Sequence, residues 1–96
     1  MPVHHQVWIR FRADVPEERI AAHLRALQSL QGRVPGVLEL NLGRNFTERA
    51  NGCTHGLSVV LTDKAALAAY GPHPVHAEIA KALRQDAEVL ALDYEY

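Results

Sequence analysis

The sequence predicts a single α+β domain spanning residues 1–96, with four strands and two helices in the order β-α-β-β-α-β. Three observations carry this. Four segments alternate residue by residue, as strands buried on one side do. Two others repeat apolar residues every three or four positions, as helices do. Glycine–proline punctuation at Gly32, Pro35-Gly36 and Gly71-Pro72 separates segments.

The first strand is "VHHQVWIRFR", with Val3, His5, Val7, Ile9 and Phe11 on one face and His4, Gln6, Trp8, Arg10 and Arg12 on the other. In "ADVPEERIAAHLRALQSLQG", Asp14 and Glu17 have the spacing of a capping box, and Pro16 suits a first turn. Ile20, Leu24, Leu27 and Leu30 then form the apolar stripe of a helix. "VLELNLGRN" reads as a second strand with Leu38, Leu40 and Leu42 on its apolar face. After the polar turn "FTERANG", the third strand "CTHGLSVVLT" places Cys53, His55, Leu57, Val59 and Leu61 together. Thr62 or Asp63 caps the short helix "KAALAAY". Gly71-Pro72 breaks it, and Pro74 restarts it as "VHAEIAKALRQ", with His76, Ile79 or Ala80, and Leu83 on one stripe. The chain closes with "EVLALDYEY", where Leu90, Leu92, Tyr94 and Tyr96 form the apolar face and Val89, Ala91, Asp93 and Glu95 the other.

This order is the ferredoxin-like one: a four-stranded antiparallel sheet with its helices on one face. The apolar strand faces pack on the helices. The opposite face carries Gln6, Trp8, Arg10, Glu39, Asn41, Thr54, Ser58 and Val60, too mixed for a fully solvated surface. Two copies meeting sheet to sheet across a two-fold axis would close a dimeric α+β barrel, so a homodimer is expected.

Composition narrows the function classes. The formal net charge is −1, and the ten basic residues are dispersed, which speaks against nucleic acid. No apolar run is long enough for a membrane, and no signal peptide precedes the first strand. One cysteine cannot make an internal disulfide, which suits a cytoplasmic protein. No phosphate-cradling glycine loop is present, so no nucleotide cofactor is expected.

The six histidines are the richest signal. His73 and His76, three apart, suggest a metal pair. His73 instead suits the N-cap of the last helix, and no further ligand completes a set, so no metal site is expected. His5 and His55 lie on apolar strand faces. They stand near the starts of antiparallel neighbours, so they sit toward opposite ends of the pair. His76 falls in the first turn of the last helix, where helix dipole and burial favour the neutral imidazole a general base needs. Tyr70, across the break, could donate to a carbonyl oxygen. By spacing alone, Tyr70 as core and His76 as a packed helix residue is the plainer account. Cys53 reads as a small core residue.

Taken together and in order, "HHQVWIRF", "VPGVLELNLGRN", "THGLSVVLT", "YGPHPVH" and "LALDYEY" resemble the stress-responsive dimeric A/B barrel family over nearly the whole chain. The resemblance implies a ferredoxin-like protomer that dimerises through its sheet. The family includes plant stress proteins and a polyketide cyclase that makes olivetolic acid. In that cyclase a Tyr-x-x-His-Pro-x-His stretch supplies the acting tyrosine and histidine. By position these imply Tyr70 and His76 as catalytic residues, and His5 and His55 as pocket-lining ones. The alanine-rich "KAALAAY" replaces bulkier cyclase residues, which implies a different pocket.

The expectation is therefore a stress-responsive A/B barrel protein holding a small, largely apolar ligand. If it is polyketide-cyclase-like, His76 acts as general base beside a carbonyl polarised by Tyr70. Two alternatives stand beside it: a non-catalytic stress or binding protein, and a cofactor-free monooxygenase.

Overall fold

The computed structural model describes Met1–Tyr96. The elements are β1 (Val3–Phe11), α1 (Glu17–Gln28), β2 (Val37–Arg44), β3 (His55–Leu61), α2 (Lys64–Tyr70), α3 (Pro74–Asp86) and β4 (Ala87–Glu95). The strands form one antiparallel sheet in the order β2-β3-β1-β4, the ferredoxin-like topology. The expected second helix is two pieces, α2 and α3, divided at the glycine–proline break.

Ile9, Leu30, Val59 and Leu61 have no exposed surface and sit between sheet and helices. Removing such a side chain down to alanine costs about 2–5 kcal/mol in lost transfer energy and cavity formation. The stripe expected on α1 is the one used: Leu27 and Leu30 are buried, with Ile20 and Leu24 packed against the same core.

Three local expectations are corrected. The capping box does not form. α1 starts at Glu17 with Pro16 at the N-cap and no side-chain cap, because a turn closed by the Val15 N–H on the Arg12 carbonyl absorbs Asp14. In β2, a register irregularity between Val37 and Glu39 turns Leu38 out to solvent, leaving Val37, Leu40 and Leu42 on the helix side.

The third correction concerns β4. Directly paired antiparallel residues share a face, and β4 pairs Leu90 with Trp8, Leu92 with Gln6 and Tyr94 with His4. The apolar set Leu90, Leu92 and Tyr94 therefore lies on the open face. Val89 and Ala91 turn toward the helices, as does Asp93, paired with His5.

Gly36 is required where the α1–β2 loop meets α2. Its φ is +89°, and a Cβ there would stand 2.7 Å from the Ala66 Cβ. That contact seats α2, and with it Tyr70, against the sheet.

Candidate functional site

α2 is capped by Asp63, whose carboxylate accepts from the Ala66 N–H at 2.8 Å. It ends at Tyr70. α3 begins at Pro74, and His73 occupies its N-cap, with Nδ1 accepting from the Val75 N–H at 3.2 Å. His73 thus serves the break, as its position suggests. The next turn presents His76, whose ring centroid stands 4.3 Å from that of Tyr70.

His76 Nδ1 lies 2.9 Å from the Gly71 carbonyl oxygen. A carbonyl can only accept, so Nδ1 carries the hydrogen and Nε2 keeps its lone pair in the neutral ring. Burial pushes the His76 pKa below its ordinary value. The nearby charges of His5, Arg84 and His73 add to this, and the bond to Gly71 opposes it. The ring is therefore a neutral base at physiological pH.

Tyr70 is 2 % exposed, and its hydroxyl is buried without a hydrogen-bond partner. Burial pushes the phenol up to about 12, so it remains a protonated donor. An unsatisfied buried hydroxyl costs about 1–3 kcal/mol, and this one is the exception among the buried side-chain polar atoms.

His5 completes the cluster. Its ring meets Tyr70 edge-on at 5.6 Å, and its Nδ1–H donates to the Asp93 carboxylate. His5, Tyr70, His76 and Arg84 line a cavity of about 100 Å³ whose remaining wall is apolar, including Leu57, Leu83 and Ala91. That is room for roughly three waters or a short acyl fragment.

His55 stands apart from this cavity. It pairs with Ile9 across the sheet, whereas His5 pairs with Val59, so the two occupy opposite ends as their strand positions require. His55 is buried, bonds the Thr54 hydroxyl at 2.8 Å and packs edge-on to Phe11 at 5.3 Å. Burial and the neighbouring Arg44 lower its pKa, while Glu17 acts in the opposite direction. It borders a separate depression, lined also by Trp8, Arg44 and Phe46, so it does not share a pocket with Tyr70 and His76.

Two residues of the site escape the sequence reading. Asp93 sits opposite His5 in the β1–β4 pairing, a position that β4 alternation alone cannot assign. Arg84 lies two helical turns beyond His76 and reaches the same cavity. No helix is long and apolar enough to cross a membrane.

Comparisons with known proteins agree with this architecture. A protein from Arabidopsis thaliana is 25% identical, with TM-score 0.90 over 98% of this chain and 94% of its own. A dimeric ferredoxin-like protein of unknown function from Jannaschia is 27% identical, with TM-score 0.86 over all of both chains. A hydroxynitrile lyase from Passiflora edulis also superposes with TM-score 0.90 over 97% of this chain and 91% of its own. At 22% identity that likeness speaks for the fold alone. No curated protein matches. The stress-responsive A/B barrel domain model matches residues 3–96, and the chain belongs to that family.

Proposed function

We propose that this chain is a homodimeric A/B barrel protein that takes a small, largely apolar carbonyl compound into the cavity and removes a proton from the carbon beside the carbonyl. The observation that carries the reading is the Tyr70 hydroxyl, buried and unpartnered beside a neutral imidazole. A ligand carbonyl oxygen accepting from it would satisfy the donor that the protein leaves free. His76 Nε2 would take the proton. The electrons of the broken C–H bond would form the enolate double bond, and the carbonyl oxygen would gain negative charge against the Tyr70 O–H. The Asp93–His5 pair would hold the second imidazole in one orientation at the cavity wall. The volume suits a short acyl group, so a polyketide-length chain could place only its head there.

The dimer is proposed from the open sheet face. Leu90 and Leu92 are 63% and 62% exposed, and Trp8 and Tyr94 lie beside them. Such a contiguous apolar surface is a mark of an interface. Several structural neighbours are described as dimeric. Sedimentation at micromolar concentration should give twice the chain mass, and a monomer mass would remove the dimer.

The catalytic reading is tested by following deuterium exchange at the α-carbon of 2-pentanone in D₂O by NMR. Exchange should rise with pH to a plateau, with a midpoint below 6.5, because only neutral His76 can accept the proton. His76→Ala should lower the rate about 10²–10⁴-fold. Unchanged exchange in a variant that melts like the parent would remove His76 from the chemistry. No exchange in either protein, with a lower melting temperature for the variant, would favour the non-catalytic alternative.

A further inference from the structure

Arg84 is the one cation among the cavity-lining side chains that is charged at every working pH. It is exposed at the mouth, on α3, and unlike Arg10, Arg19 and Arg44 it has no carboxylate within ion-pair distance. Of the carboxylates on β4 near this end, Asp93 is taken by His5 and Glu95 by Lys64. The lining of the cavity thus includes a tyrosine whose buried hydroxyl has no partner and a base, while its exposed edge carries an unpaired guanidinium. Extending the proposed proton-abstraction reading, on which it rests, we infer that the ligand is a short oxo acid. Its carbonyl would enter against Tyr70, and its carboxylate would stay at the mouth on Arg84.

Charge and volume agree with this division. A cavity of about 100 Å³ cannot enclose both an acyl body and a hydrated carboxylate, so the charged end must stay at the rim. An arginine fork matches a carboxylate with two parallel N–H donors, and such charge-assisted bonds are the stronger class. A carboxylate at that point also offsets the positive field of Arg84 on His76. The imidazolium formed by proton abstraction would then face less repulsion.

The probes are 4-oxopentanoate and 2-pentanone, which differ in that a carboxylate of the first stands where the second has a terminal methyl. Affinities are measured by NMR titration at low and high salt. 4-Oxopentanoate should bind about tenfold more tightly or better, with the preference shrinking as salt rises. Arg84→Gln should bring the ratio of the two affinities close to one, and Arg84→Lys should keep part of it. Because the readout is a ratio, a general weakening of binding cannot mimic the effect. Equal affinities in the parent, a ratio unmoved by Arg84→Gln, or no binding of either probe would overturn the inference. Exchange data separate the two claims. Tight 4-oxopentanoate binding without α-exchange of either probe leaves the Arg84 site standing and removes the catalytic reading. Exchange of 2-pentanone with no carboxylate preference does the reverse.

Discussion

The layer between sheet and helices has two ends, and each holds a pair of histidines and an aromatic ring. At one end His55 and His23 flank Phe11, with ring centroids 5.3 and 5.8 Å away. There the polar groups are satisfied. His55 bonds Thr54, and His23 Nε2 meets the Asp86 carboxylate at 2.7 Å, which also holds Arg19 through two contacts of 2.9 Å. At the other end His5 and His76 flank Tyr70, and there a cavity remains and a buried hydroxyl has no partner. Residue type is thus a poor guide to role in this small domain. What distinguishes the ends is whether the polar atoms are already spoken for. The satisfied end ties α1 and α3 to the sheet, and the unsatisfied end is where a ligand has something to complete.

The largest effect that would break this contrast is expected from Tyr70→Phe. Loss of one donor aimed at a developing oxyanion should slow α-exchange about 10²–10³-fold. The same change removes an unsatisfied hydroxyl, so the melting temperature should hold or rise. A slowed reaction combined with a clear loss of stability would show that Tyr70 is structural after all.

At the opposite end, Asp86→Asn should lower stability and leave exchange unaffected. The Arg19 and His23 hydrogen bonds hold the Asp86 carboxyl at about 2, below its unfolded value. Its stabilisation is therefore complete above roughly pH 4 and is lost as pH falls toward 2. Parent and variant melting temperatures should differ at neutral pH and converge across that window. A constant difference down to pH 2 would mean that packing, and not the ion pair, is at stake.

The smallest expected effect is on mild acid stability. The imidazoles of His55 and His76 both have pKa values lowered by burial, so the unfolded chain takes up their protons first as pH drops below about 6.5. Stability should be greatest above that pH and decline below it until the folded-state values are reached. His55→Gln should flatten part of this decline, measured by denaturant midpoints between pH 7 and 5, without altering the pH profile of exchange.

Much of this was legible in the chain, because alternation and helical spacing are local. β1, the α1 stripe, the broken helix and the His73 cap all follow from residues within one or two turns of each other. The orientation of β4 does not. Leu90 and Leu92 on one face and Val89 and Ala91 on the other are both apolar enough to be core, and only the register against β1 decides between them. The same pairing delivers Asp93 to His5, across 88 residues, and α1–α3 packing delivers His23 to Asp86 across 63. The separation of His55 from Tyr70 followed in principle from antiparallel pairing. The resemblance by position nevertheless grouped them, since matching positions do not report which cavity a side chain lines.

Trp8 is the single tryptophan of the chain, and it stands 44% exposed on the open sheet face, outside the cavity of Tyr70 and His76. The molecule therefore carries a built-in optical reporter that sees one of its two surfaces and not the other. Covering the sheet should shift the indole emission to the blue, while a ligand entering the cavity should leave it where it was. Association and ligand binding can thus be followed independently, without a label, in the same cuvette.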